Sequence, residues 1–148
     1  MLEQSLKLFF KNYIMNEKLM IAIVDDDPIF QFIAKRFIKS FESVNQMLIF
    51  SDGKDAMDFL YFNINDKDKL PDIIFLDINM PVMNGWQFLN KYIELKSKIE
   101  KKIIIYIVSS SNNPDDFIQA QSIHEVTDYI VKPIDREKYT SILNSVHT

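Results

Sequence analysis

The side chains that could do chemistry in this chain lie where apolar runs stop. Leu19–Val24 is followed by Asp25, Asp26 and Asp27, and Ile73–Leu76 by Asp77; the run at 103–108 is followed by Ser109, and the short run at 129–131 by Lys132. A carboxylate at the end of a buried strand is costly unless an opposite charge meets it. Several carboxylates crowded together repel, and their pKa values rise unless a cation sits among them. A hard divalent ion removes that cost. Mg2+ suits a site with few carboxylates, one or two backbone oxygens and several retained waters, and Mn2+ could substitute. A bound divalent ion reverses the local electrostatics and draws in an anion.

Under those conditions Asp77 could attack a phosphoryl group and form an acyl phosphate. The metal and Lys132 would balance the charge, and Ser109 could donate to a phosphoryl oxygen. Taken singly, each residue has a plainer reading: Asp27 as a helix cap, Lys132 as a snorkelling surface lysine, Ser109 as a loop hydroxyl, Asp77 as a cap on its own turn. Their joint placement on successive strand ends is what favours the chemical reading.

The elements that must position these groups alternate along the chain. After the strand Leu19–Val24, Asp27-Pro28 is an N-cap and first-turn pair, and Ile29, Phe32, Ile33, Phe37 and Phe41 are expected to share the inward face of the helix that follows. A second strand, Val44–Phe50, leads to a helix over 52–63 with Ala56, Phe59 and Leu60 inward, then to a polar connection. The central run Ile73–Leu76 is continuously apolar, as in a parallel strand buried on both faces. Pro81 and Asn84-Gly85 stiffen the loop after Asp77, before a helix over 85–96 with Phe88, Leu89, Tyr92 and Leu95 as its apolar stripe. Asn113-Pro114-Asp115-Asp116 opens a fourth helix, and 134–146 reads as a fifth. Five strand–helix units predict an α/β fold, a doubly wound parallel sheet of five strands with helices on both faces, whose ligands bind beyond the carboxyl ends of the strands.

Composition narrows the function classes. The 148 residues are 47% hydrophobic and 26% charged, which fits one folded domain. A net charge of −4 speaks against a nucleic-acid partner, and the cluster Lys96, Lys98, Lys101 and Lys102 reads as solvated surface at a helix end. No cysteine is present, and the two histidines are isolated, so thiol chemistry and Cys- or His-based metal sites are not expected. No apolar run reaches membrane-spanning length and no secretory signal is convincing, so no membrane association and a cytoplasmic location are expected. Residues 1–18 form an extension ahead of a domain over 19–148. The spacing of Leu2, Leu6, Phe9 and Tyr13 predicts an amphipathic helix there, which docks on the domain or on a partner. The competing reading is that Met15 is the natural start and residues 1–14 are not native.

The motifs VDDDP at 24–28, FLDINMPVMNG at 75–85, IVSSS at 107–111 and YIVKP at 129–133 resemble, in order and spacing, the receiver domain of two-component response regulators, of the single-domain chemotaxis-regulator type. The resemblance covers about residues 19–148. It implies a flavodoxin-like three-layer (βα)5 fold with strand order 2-1-3-4-5. It also implies that Asp77 is the phosphoacceptor, that Asp25 and Asp26 hold Mg2+ together with Asp77 and the backbone carbonyl of Asn79, and that Ser109 and Tyr129 form the switch. Lys132 matches the phosphate-pairing lysine, the Lys132-Pro133 bond is expected to be cis, and Asn79 and Ser111 resemble positions that tune the lifetime of the phosphoryl group.

By the same resemblance the donor is a sensor histidine kinase or a histidine phosphotransfer protein. The downstream partner is expected on the face of the fourth helix, fifth strand and fifth helix of the domain. Such a protein promotes only its own phosphorylation and dephosphorylation and is not an enzyme on external substrates. Asp128, where a small residue is usual, predicts a more acidic output face. No output domain is expected after the fifth helix, so the signal leaves by protein contact, by homodimerisation, or by a phosphorelay that passes the group on. A non-phosphorylated scaffold is the alternative from another class, and the complete Asp, Asp, Asp, Ser, Lys set speaks against it. A phosphatase with an Asp nucleophile would usually carry a second acid where Asn79 stands. A flavin-binding relative would need a phosphate cradle in place of three acids.

Overall fold

The computed structural model describes residues 2–15 and 18–146, so the ends of the expected spans at 1, 16–17 and 147–148 lie outside the described residues. Five parallel strands, β1 (Leu19–Val24), β2 (Val44–Phe50), β3 (Ile73–Leu76), β4 (Ile104–Ser109) and β5 (Val126–Val131), pair in the order β2-β1-β3-β4-β5. The helices are α1 (Leu2–Met15), α2 (Pro28–Lys39), α3 (Gly53–Phe62), α4 (Gly85–Leu95), α5 (Pro114–Gln121) and α6 (Arg136–Ser145). The fourth and fifth helices of the sequence reading are thus α5 and α6. The expected doubly wound fold is borne out.

Strand alternation divides the core into two layers. Ala22, Val24, Ile74, Leu76, Ile105 and Ile107 pack with α3, α4 and α5. Ile21, Ile23, Ile73, Phe75, Tyr106 and Val108 pack with α2 and α6. Helix starts follow local chemistry: the Asp27 carboxylate accepts from the amides of Ile29 and Phe30 with Pro28 next, and Asn84 and Gln87 form a reciprocal capping box.

One helix face departs from expectation. In α2 the buried residues are Phe30, Ala34 and Ile38, while Ile29 and Phe32 are 70% and 66% exposed and Ile33 is also exposed. The apolar arc of α2 spans more than half its circumference, wider than the sheet can cover. The helix settles about 100° away from the expected face, which is one residue at 3.6 residues per turn. In α1, helical as predicted, Leu2, Leu6 and Phe9 are exposed. β5 begins three residues earlier than the apolar run at 129–131, and α6 two residues later than expected at 134.

The lysine cluster divides. Lys101 is half-buried: its Nζ donates to the carbonyls of Lys67 and Leu70 and pairs with Asp72 at 3.1 Å, and Asp72 in turn accepts the Met20 amide. It staples the polar connection to the lower edge of the sheet, a role the solvated-surface reading did not anticipate.

At the opposite edge two glycines let the loop after β3 close. A Cβ on Gly85 would lie 2.4 Å from the Asp77 carbonyl oxygen and 2.9 Å from Cα of Ile78. Both neighbours are backbone and cannot swing aside. Gly85→Ala is therefore expected to destabilise the fold by roughly 1–3 kcal/mol, the usual cost of overpacking. A urea-unfolding midpoint unchanged from wild type would refute this.

Candidate functional site

Pairing register brings the expected residues together. Val24 is opposite Leu76, and Leu76 opposite Ile107, while Ser109 pairs with Val131. One step further along β1 and β3 lie Asp25 beside Asp77, and Lys132 directly follows Val131, the partner of Ser109. The ladder continues into this step: the Asp77 amide donates to the Val24 carbonyl and the Lys132 amide to the Ser109 carbonyl.

Asp25, Asp77 and Ser109 are buried, at 1%, 6% and 0% exposed, whereas Asp26 is exposed at the rim. One carboxylate oxygen from each of Asp25, Asp26 and Asp77 lies within 4.8 Å of the others. Lys132 Nζ is 2.7 Å from Oδ2 of Asp25 and 3.9 Å from Oδ2 of Asp77, and it stands 4.5 Å from the Phe30 ring centroid. The Lys132 ammonium is the charge partner of Asp25 Oδ2. Asp25 Oδ1 accepts the Asp27 amide, and Asp77 Oδ1 the Ile78 amide.

Three carboxylates against one ammonium leave a net charge of −2, with Asp25 and Asp77 buried and Asp26 at the exposed rim. Burial, then the charge of Asp25, pushes the Asp77 carboxyl up to about 6, against the opposing pull of Lys132. The Asp25 carboxyl is also raised, by burial first. A divalent cation among the three oxygens would cancel the excess charge. The donor set, all hard oxygen, fits such an ion.

A second chain of contacts leads away from this pocket. Ser109 Oγ accepts the Ser111 amide at 3.1 Å, and the Tyr129 hydroxyl donates to the Ser111 carbonyl at 2.8 Å. Ser111 Oγ donates to Asp116 of α5, and the Tyr129 ring meets Phe117 edge-on. Asn79 is exposed in the loop after Asp77, and the Lys132-Pro133 peptide bond is cis. Asp128, the acidic departure, pairs with Lys138 at 3.2 Å and so is partly neutralised. Sequence reasoning missed Phe30, which carries the Lys132 ammonium on its face, and Gln31, whose amide donates to the Asp25 carbonyl and to Ser51. Both lie on the α2 face that was misjudged; the two-residue spacing of Phe30 from Pro28 was the available signal.

A family model described as the response regulator receiver domain matches residues 21–144. The chain belongs to the response regulator receiver family. It is 28% identical over 119 residues to the response regulator Rcp1 of Synechocystis sp., covering 79% of this chain and 78% of that one. A two-component response regulator from Cytophaga hutchinsonii has a similar structure, with TM-score 0.78 and 28% identity over 87% of this chain and 97% of that one. CheY in the CheX–CheY–BeF3–Mg complex from Borrelia burgdorferi gives TM-score 0.71 and 25% identity, covering 88% and 90%. Against several other curated relatives this receiver spans about half of their length. Among its described residues no helix is long and apolar enough to cross a membrane.

Proposed function

We propose that Asp77 accepts a phosphoryl group from a phosphohistidine on a kinase or phosphotransfer protein, in a Mg2+-dependent reaction, and that the receiver then signals through the α5, β5, α6 surface. The observation that carries this reading is the excess negative charge of Asp25, Asp26 and Asp77 around Lys132. Asp25, Asp26, Asp77 and the backbone carbonyl of Asn79 would hold the ion. Its chemistry is to screen the acids and to draw charge from the phosphoryl oxygens.

The chain's own groups supply the rest. An Asp77 oxygen attacks phosphorus, and the O–P bond forms as the donor's P–N bond breaks, with the electron pair leaving on the imidazole. Lys132, held on Phe30 between the two acids, pairs with a phosphoryl oxygen. The Ser109 hydroxyl turns from its contact with the Ser111 amide to donate to another. That movement pulls on Ser111, whose carbonyl holds the Tyr129 hydroxyl, and so reaches α5 and β5. Exposed Phe117, Ile118 and Val131 give that surface apolar contact area, and exposed Ile29, Phe32 and Ile33 beside the acidic rim give the donor a place to sit. The receiver turns over no external substrate in this scheme.

Beryllium fluoride with Mg2+ tests the pocket without phosphorylation. Trp86 directly follows Gly85, which packs on the Asp77 carbonyl, so its fluorescence should change saturably with the wild type and stay flat with Asp77→Ala. An unchanged wild-type spectrum would favour the scaffold reading instead.

A further inference from the structure

Between α3 and α4, away from the acidic pocket, lies an open cavity of about 470 Å³. None of Asp25, Asp77, Ser109 or Lys132 lines it. Its size falls in the range of small-molecule sites, and its ten lining residues are half apolar or aromatic and half charged. Met57 and Leu95 line it from buried positions, and Tyr61 and Val82 are largely exposed beside it.

The charges around it are unequal in their partners. Lys54 pairs with Asp58 at 2.7 Å and Lys91 with Glu94 at 3.7 Å, so two of the three lysines of the cavity are met by its two acids. Lys98 makes no ion pair among the described residues. The cavity therefore offers one unspent positive charge beside apolar surface. A cationic head group would face three lysines there, and an anionic one would gain a partner in exposed Lys98.

We propose that this cavity binds a small amphiphile with an apolar chain or ring and one carboxylate. The apolar part lies against Met57, Met83 and Leu95, and the carboxylate pairs with Lys98. Methionine adapts its shape to its contacts, so tolerance of chain length is expected.

The loop after Asp77 forms one end of this site. Val82, β-branched and at φ 66, is the central residue of a tight turn closed by the Met83 amide on the Pro81 carbonyl, and the Gly53 amide holds the Met83 carbonyl at 3.1 Å. A second hollow of about 270 Å³ shares Val82, Met83 and Lys91 with the first, so a longer chain could continue past Val82.

The test uses the full chain with 13C-labelled methionine methyls, titrated separately with decanoate, decylammonium and 1-decanol below their aggregation limits. The five other methionines of the seven supply internal controls. Decanoate is expected to shift the Met57 and Met83 methyls saturably, and to do so equally in Asp77→Asn, which separates this site from phosphorylation. Lys98→Glu should weaken decanoate roughly fivefold, as loss and reversal of an exposed charge implies, leave decanol unchanged, and be rescued by Lys98→Arg. Three outcomes would overturn the proposal: methyls that do not move, decylammonium binding as tightly as decanoate, or Met57 and Met83 responding to dilution of the protein alone, which would mean that a second copy occupies the face.

Discussion

Asp77→Asn is expected to gain no phosphoryl group when incubated with acetyl phosphate and Mg2+, while the wild type gains one. The exchange keeps the shape of the side chain, so the loop and its contacts with Gly85 survive. It removes the anionic oxygen that must form the bond to phosphorus, and a neutral amide oxygen is a far poorer nucleophile. Asp25 and Asp26 remain nearby, but Asp25 is drawn against Lys132 at 2.7 Å and Asp26 sits at the exposed rim. Neither is expected to take over. Ser109→Ala should still be phosphorylated, more slowly by roughly 10²-fold if its hydroxyl donates to a phosphoryl oxygen in the transition state. Intact mass followed over time reads all three proteins, with a chelator as control for the metal. Uptake by Asp77→Asn at the wild-type rate would place the acceptor elsewhere and remove the central step of the scheme.

The strand ends were legible in sequence because a strand buried on both faces is a continuous apolar run, and the first charged residue marks where it leaves the core. Asp25, Asp77 and Lys132 stand out for that reason, and Asp27, Asn84 and Asn113 because a cap is a local event within three residues. What stayed hidden was non-local or ambiguous. Lys101 looked like its lysine neighbours, and only the fold brings it to Asp72 and to the carbonyls of Lys67 and Leu70. The first half of β5, Val126-Thr127-Asp128, carries no apolar run because it belongs to an edge strand, half exposed, whose backbone pairing with Ile105 and Tyr106 decides its conformation.

The face of α2 was the costliest misjudgement for the site. Seven of its twelve residues, Ile29, Phe30, Phe32, Ile33, Ala34, Phe37 and Ile38, are apolar. Periodicity alone cannot then choose which edge of so wide an arc turns inward. The fold chose Phe30, and with it the surface that holds Lys132 between Asp25 and Asp77. That choice also left Ile29, Phe32 and Ile33 uncovered beside the pocket, so one packing decision shapes both the charge balance of the site and the surface around it.

The same charge balance predicts how stability depends on pH and metal. Without a divalent ion, the folded-state pKa of Asp77 is about 6, above the 3.8 of an ordinary Asp, because burial and Asp25 disfavour its ionised form. The folded state thus holds its proton more tightly than the unfolded state between those values. The stability associated with this proton is fully present below about 3.8 and is lost as pH rises to about 6. At neutral pH the ionised Asp77 costs on the order of 3 kcal/mol, at about 1.4 kcal/mol per pH unit. Metal-free Asp77→Asn should therefore be more stable than metal-free wild type at pH 7.5, by up to that amount, and the gap should close as pH falls from 6 towards 4. Asp25, Asp26 and Lys132 face the same group, and Asp25 and Asp77 titrate as a pair, so the transition should be broad. Mg2+ should raise the stability of the wild type at pH 7.5, by about 2.7 kcal/mol at a hundred times its dissociation constant, and raise that of Asp77→Asn less, because one acid of its site is gone. Urea unfolding of both proteins across this pH range, with and without the metal, measures each difference directly. A gap that stays constant from pH 4 to 7.5, or a variant less stable than wild type at neutral pH, would mean that the acids are not held against one another in the folded chain, and the case for a cation among them would go with it.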